Sequence, residues 1–509
     1  MQHTSTHAGA INLRTALPQA QFFGSSDIPF TSCTSDAKSC RPGDLFVALV
    51  TPDGDGHDDV FTAIENGATS VLSERLIPID VPVCVVDDTR EAYGQVCHQL
   101  MGQPSENMHV IGVTGTAGKT TTNVLISSVL EAAGMNAGFT NTLGRFDGLE
   151  TAPASQTTPP QHQLADNLAR MASNYCSHAV LEVSSKALAQ RQTAGIQFDA
   201  AVLTNVRRDH LDFHGSVKNY RSAKLRLFEQ LKPEGFAIIN ADDPASEFFL
   251  ERIDHPTLTV GIRNQAEITA TVIERFKSEQ TFLLTAGSES VPIRTHMIGD
   301  HHVYNCLAAA AVGLVLGIDL TTIARGLEIV DRIPGRLERI ECGQPFGVFV
   351  DSARTPHSLA CSLKALRQVT SGRLTCIFGA DADGDPANRP LLGRAVERYA
   401  DRGIITSDNP RYKTPLEIAH DILDGYDRPA RGHVMPDRAK AIEWALGQAK
   451  PGDTVLIAGK GNEIFQIIGN QSHQFDDREV ARTWLYDVGA EVDYDQPTQP
   501  VLKIARHIV

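Results

Sequence analysis

The sequence predicts an α/β protein of three domains: a central, doubly wound domain built on a phosphate-binding loop (P-loop), a small N-terminal α/β domain and a C-terminal Rossmann-like α/β domain. Three observations predict it. At 509 residues the chain is longer than one hydrophobic core ordinarily serves. Apolar strand-like runs alternate with helical stretches, as parallel sheets with crossover helices require. Residues 108–122 run strand, glycine-broken loop, helix, which is the order in which a phosphate cradle is assembled.

Taken in order, residues 1–104 carry apolar runs at 45–50, 70–72 and 81–86, with helices expected at 60–67 and 91–101. Residues 41–49 read as a turn feeding a strand, and Gly-Gln-Pro-Ser at 102–105 reads as a linker. Residues 105–334 form the expected central domain, with strand-like runs at 179–183, 200–204 and 235–240. Arg332-Ile333-Pro334-Gly335-Arg336 is the expected hinge, because proline and glycine end the preceding helix. Residues 335–509 follow as the third domain, with strands expected at 348–351, 373–379, 403–407 and 453–459.

Composition narrows the function. With 42% hydrophobic and 21% charged residues the chain lies in the globular range and not in the disordered one. A net charge of -15 argues against nonspecific nucleic-acid binding, so any anionic ligand has to be held by local cations. The nine cysteines include no C-x-x-C pair and are expected reduced and mostly buried. No stretch approaches the roughly 18 apolar residues of a membrane span, and no charged-then-apolar leader opens the chain. A cytoplasmic protein without membrane insertion is expected.

The chemistry centres on Gly115-Thr116-Ala117-Gly118-Lys119-Thr120-Thr121. Gly115 and Gly118 let backbone N–H groups approach phosphate oxygens, Lys119 adds a full positive charge, and Thr120 is placed to hold Mg2+. The following helix should present Leu125, Val129 and Ala132 on one face. Glu182 ends an apolar strand, where ligands gather in open α/β sheets, and could hold a second Mg2+ or serve as an ordinary strand-end carboxylate. Residues 204–215 pack His210, His214, Asp209, Asp212 and Asn205 after another strand, too polar for a core and too dense for a common loop. Lys224, in a helix expected over 218–231, reads by itself as a solvated helix-face lysine.

The motifs T-G-T-x-G-K-T-T, E-V-S-S, T-N-x-x-x-D-H-L-D-x-H-G, Y-x-x-A-K-x-x-L-F and V-Y-N-x-L-A-A-x-A follow one another as they do in the Mur ligases of peptidoglycan synthesis, which this chain resembles over nearly its whole length. Thr157-Thr158-Pro159, Asp408-Asn409-Pro410-Arg411 and Gly459-Lys460-Gly461-x-Glu463 look most like the branch that adds the third peptide residue, usually meso-diaminopimelate. The resemblance implies ATP-dependent amide synthesis through an acyl phosphate, with UDP-MurNAc-dipeptide and a diamino acid as partners. It assigns phosphate and Mg2+ to Lys119, Thr120, Glu182 and His210, and implies that Lys224 is carbamylated and helps hold metal. Asn305 would contact adenine, while Arg336 and Asp351 would reach the nucleotide across the hinge. Asp36 to Lys38 would serve the uridine, and Thr157, Thr158, Ser184 and Arg191 the sugar-peptide. Arg191 falls one residue before the family's arginine, whose slot holds Gln192. Arg389, Asp408, Asn409, Arg411, Gly459 and Glu463 would form the amino-acid pocket, where arginine pairs with carboxylate and Glu463 with ammonium.

The departures cluster inside motifs. Ala117 replaces an asparagine, Ser352 and Arg354 replace an aromatic ring and a histidine, and residues 379–390 lose lysines while gaining acid. Lys186 stands for a histidine, His302 for an asparagine, Lys413 for a glutamate and Asn462 for a histidine. An active tripeptide-forming ligase and a catalytically weak homologue acting as a nucleotide- or muropeptide-binding scaffold are the two expectations. A folylpolyglutamate-synthase-like ligase would share the central domain but not Asp-Asn-Pro-Arg.

Overall fold

A computed structural model describes residues 3–5, 10–51 and 54–489, so the last stretch of the expected third domain, 490–509, lies outside the described residues. Three large sheets succeed one another along the chain. The first is ordered His3–Ser5, Ser32–Thr34, Leu45–Val47, Ser70–Ser73, Val83–Val85, Gln21–Phe23, with four parallel strands inside and an antiparallel strand at each edge.

The central sheet has 11 strands. Its parallel part runs Ala137–Asn141, His178–Glu182, His109–Thr114, Phe198–Leu203, Leu231–Asn240, Thr257–Gly261, Ile268–Arg275. The inner strands His178–Glu182, His109–Thr114 and Phe198–Leu203 are buried almost throughout on both faces, which is why they read as continuous apolar runs, while Ile268–Arg275 toward the edge is half exposed. Antiparallel strands extend both edges, Gly144–Phe146 with Thr151–Ala152 on one side and Gln280–Ala286 with Glu289–Thr295 on the other. The third sheet has five parallel strands, centred on Gly347–Asp351, Thr454–Ala458 and Leu374–Phe378, and one antiparallel edge strand, Glu338–Arg339.

Two sequence expectations are corrected. The phosphate-loop helix, Lys119–Ala132, does not bury one stripe: every residue from Thr120 to Leu130 is buried, while Ala132 is only partly so. Helices Asp300–Val315 and Leu320–Ile329 cover the face it would otherwise expose, and Ser128 Oγ donates to Gly326 O at 2.7 Å. Each large apolar side chain buried there contributes roughly 1.5–3 kcal/mol. The helix expected over 218–231 is Val217–Leu225, then one 3-10 turn, Phe228–Gln230, before a strand opens at Leu231. Pro233 disfavours helical backbone just before it, and Gly235 follows.

All nine cysteines are free thiols, seven of them buried. Among the described residues no helix is long and apolar enough to cross a membrane.

Candidate active site

The strands His109–Thr114, His178–Glu182 and Phe198–Leu203 are adjacent and parallel, so the loops leaving their carboxyl ends converge. Val113 is level with Glu182 and with Val202. This register sets the phosphate loop beside the Glu182 carboxylate and the polar segment after Leu203.

The loop is fixed chiefly from that third strand. Asn205 Oδ1 accepts from Ala117 N at 3.0 Å, Asn205 Nδ2 donates to Ala117 O at 2.9 Å, and Thr116 N donates to Asn205 O at 2.9 Å. The side chain lost at Ala117 is therefore not what holds the loop. Gly118 has φ +87, and a Cβ there would meet Asn305 Oδ1 at 2.4 Å, which excludes any other residue. Asn305 thus sits against the loop, and its Oδ1 accepts from Thr122 Oγ1.

Thr120 Oγ1 donates to Glu182 Oε2 at 2.9 Å, and Thr142 N and Oγ1 donate to the same oxygen at 3.0 and 3.1 Å. Two hard oxygen donors beside a phosphate loop fit Mg2+, which keeps water and phosphate for its other positions. Among the described residues no group of three or more His, Cys, Asp or Glu side chains could hold a metal unaided. Lys119 Nζ donates to Thr116 O at 3.0 Å; burial pushes its pKa down, against the pull of Glu182 and Asp209. His210 lies 3.5 Å from Asp209, and burial, opposed by Asp209 and reinforced by Lys186, Lys119 and Lys224, holds its pKa below the usual histidine value.

Lys224 is not a solvated lysine. It is 1% exposed, donates from Nζ to Gly115 O at 2.8 Å, and lies 4.6 Å from the Tyr220 ring centroid. Burial, with Lys119 adding to it, pushes its pKa well below the ordinary lysine value.

A cleft of about 1400 Å³ joins this loop to the third sheet. Thr116, Gly118, Lys119, Thr120, Thr121, Glu182, Ser184 and His210 line one side, and Arg336, Asp351, Arg389, Asn409, Arg411 and Glu463 the other, with Asn305 and Thr157 between. Arg336 Nη2 donates to Thr120 Oγ1 at 3.0 Å. Asp351 faces the cleft with its carboxylate engaged by Leu337 N at 2.6 Å, Ala353 N at 2.9 Å and Ser362 Oγ at 3.1 Å.

The expected amino-acid pocket is internally paired. Glu463 accepts from Arg354, from Asn409 Nδ2 at 3.2 Å and from Lys460 Nζ at 3.1 Å. Burial would raise its pKa, but Arg354 and then Lys460 hold it below the usual glutamate value. Arg411 lies 2.8 Å from Asp383 and 3.5 Å from Asp381, as ion contacts without an aligned hydrogen bond. Arg389, 2% exposed, donates to Asp421 at 2.8 Å and Ala382 O at 3.1 Å. Asp408 is buried behind Gly459, whose φ is +114 and whose Cβ would come within 2.5 Å of Asp408 Oδ2. Neither of these two lines the cleft.

Other expected site residues do not line this cleft. Thr158 is consumed structurally, donating to Glu182 O at 2.9 Å and accepting from Ser184 N at 3.0 Å. Arg191 is 3.5 Å from Glu91 and 3.7 Å from Asp88, against the helix Thr89–Leu100 of the first sheet. Asp36 caps the turn Ala37–Ser39 and accepts from Lys38 N at 3.0 Å, while Lys38 is exposed. Neither Asp36 nor Lys38 lines the cleft. Sequence reasoning assigned no site role to Thr142, Arg354, Asp383 or Lys460; the last three lay inside motifs that could have pointed to them, Arg354 and Asp383 as departures and Lys460 within Gly-Lys-Gly, whereas Thr142 lay in none.

A phosphate loop facing a strand-end carboxylate, closed over by an arginine from a second α/β sheet whose Arg411 and Glu463 line the same cleft, has the build of a multidomain P-loop ligase. Residues 113–313 match the Mur ligase middle domain, and residues 335–461 match the Mur ligase glutamate ligase domain. The UDP-N-acetylmuramoyl-L-alanyl-D-glutamate--2,6-diaminopimelate ligase of Geobacillus kaustophilus is 40% identical over 89% of this chain and 94% of its own length. The ligase of the same name from Syntrophomonas wolfei is 38% identical over 91% and 96%. A solved structure bearing that name superposes with a TM-score of 0.69 at 29% identity, covering 94% of this chain and 99% of the other. The chain belongs to the Mur ligase family.

Proposed function

We propose that the protein joins meso-diaminopimelate to the D-glutamyl carboxylate of UDP-N-acetylmuramoyl-L-alanyl-D-glutamate with ATP as the phosphoryl donor, as a cytoplasmic step of peptidoglycan synthesis. One observation carries the reading: a single cleft runs from Lys119 and Thr120 to Asn409, Arg411 and Glu463, so a phosphorylated acyl group and an incoming amine share one space. A carboxylate oxygen attacks the γ-phosphorus and ADP leaves. The amine nitrogen then attacks the acyl carbon, phosphate leaves, and the nitrogen loses a proton.

Such transfers ask the protein mainly for alignment and charge neutralisation. Lys119 and the loop N–H groups hold the phosphates, and Arg336 supports them from across the hinge. Thr120 and Glu182 would hold Mg2+, joined by His210 and by Lys224 once carbamylated; when bound, the ion supplies charge neutralisation at the phosphate oxygens. Residues 1–104, with Asp36 and Lys38, would take the uridine nucleotide, residues 105–334 ATP, and residues 335–509 the amino acid. The retained Lys119, Glu182 and Arg336 in one cleft, with Lys224 buried against the phosphate loop at Gly115 O, favour an active ligase over a scaffold.

Phosphate release by the purified protein, given UDP-MurNAc-L-Ala-D-Glu, ATP and a panel of amino acids, tests this. Release that requires both the muropeptide and an amino acid is expected. Binding of nucleotide and muropeptide without any release would establish the scaffold reading instead.

A further inference from the structure

Behind the phosphate loop lies a second cavity of about 310 Å³, walled by Gly115, Thr116 and Lys119 on one side and by Thr157 and Thr158 on the other. Lys186, on the short helix Ser185–Ala189, lines both this cavity and the main cleft. Its Nζ lies 5.5 Å from the Phe213 ring centroid. Among the described residues it has no carboxylate partner, although the chain carries 61 acidic residues against 46 basic ones. An ammonium left unpaired at a cavity wall of so acidic a protein is a counter-charge waiting for a ligand.

The neighbouring cations are already committed. Arg191 faces Glu91 and Asp88, Arg226 donates to Leu188 O and Ala189 O, and Lys119 belongs to the phosphate loop. Gln190 and Gln192 line the cavity without charge. A peptide-linked glutamyl end carries two carboxylates. One gives up its carboxylate charge when it is phosphorylated and then becomes the amide, and the other keeps its charge throughout.

We propose that Lys186 binds the carboxylate of the glutamyl end that is not phosphorylated, fixing which of the two oxygens pairs faces the nucleotide. The assignment rests on the substrate reading given above. Lys186 acts in binding and orientation and takes no part in bond making.

Equilibrium binding to the full chain tests it with two ligands: UDP-MurNAc-L-Ala-D-Glu and its analogue in which the α-carboxylate is a carboxamide. The unaltered protein should favour the carboxylate by about tenfold or more, as one charge-assisted hydrogen bond allows. Lys186→Met should weaken only the carboxylate ligand and erase the preference, and Lys186→Arg should keep it. Unchanged nucleotide affinity in both variants serves as the control for folding. Equal weakening of both ligands by Lys186→Met, a preference that survives it, or a loss of nucleotide affinity would each overturn the assignment. Tight binding of both ligands without preference would overturn the assignment alone, whereas no binding of either to the unaltered protein would overturn the substrate reading and the assignment with it.

Discussion

The Arg336 guanidinium donates to Thr120 Oγ1 at 3.0 Å, and the same hydroxyl donates to Glu182 at 2.9 Å. A cation that follows the hinge is thereby coupled through one hydroxyl to the carboxylate of the central sheet. Burial lowers the Arg336 pKa, and Glu182 and Asp351 work against it. Closure of the third sheet over the phosphate loop is thus written into one hydrogen-bonded chain.

Arg336→Ala should lower kcat by about 10²–10³, the usual loss when one preorganised donor to developing charge is removed. Arg336→Lys should recover part of it, since the charge returns but not the planar fork. Steady-state kinetics at saturating substrates checks this. A change confined to the KM for amino acid would mean that Arg336 does not serve the nucleotide.

Lys119→Ala should abolish turnover to the assay background, because the phosphates lose their nearest full charge. Near wild-type ATP turnover in this variant would remove the phosphate-cradle reading.

Lys224→Ala should be inactive and partly restored by short-chain carboxylates. A neutral amine is the form that adds CO2, and burial already holds Lys224 toward neutrality beside Gly115 O. Intact-protein mass and rescue kinetics read this out. An unmodified lysine in fully active protein would count against carbamylation.

Diaminopimelate should be preferred to L-lysine by at least tenfold in kcat/KM, since one charged hydrogen bond contributes roughly 1.5–3 kcal/mol. Arg411 is the candidate for the extra carboxylate, and it is presently paired with Asp383 and Asp381. The ligand has to displace Asp383, so Asp383→Asn should lower the diaminopimelate KM while Arg411→Ala removes the preference. Lys413 is exposed and does not line the cleft, so Lys413→Glu should leave both constants unchanged. Equal efficiency for the two amines would sink the pocket assignment.

Stability should fall as pH drops from about 6.5 to about 4. His98 is fully buried, and neither ring nitrogen has a hydrogen-bond partner among the described residues. Burial pushes its pKa down from 6.5 to about 4. Between those values the unfolded chain binds a proton that the folded chain refuses, so the stability present above pH 6.5 is lost on acidification, by up to ~3 kcal/mol for this group. His98→Phe should flatten part of the Tm decline across that window, and an unchanged slope would show that other groups cause it.

Much of this was legible in residue order. The strand before the phosphate loop, the loop itself, Glu182 at a strand end and the α/β alternation all depend on short-range pattern, because backbone propensity and side-chain periodicity are set by near neighbours. The motif series also carried the family. The antiparallel extensions of the central sheet were not legible, since the pairing of Gln280–Ala286 with its neighbours shows only in three dimensions.

The sequence alone determined the phosphate-loop pattern, its place between strand and helix, and the polar side chains available around it. Tertiary structure decided which of them are in position. It buried Lys224 against Gly115, turned Arg191 toward Glu91, tied Glu463 to Arg354, and brought Arg336 to Thr120 across 216 positions. Desolvation and charge pairing depend on groups that are distant in the chain and meet only once the sheets have packed, and local pattern carries no information about that meeting.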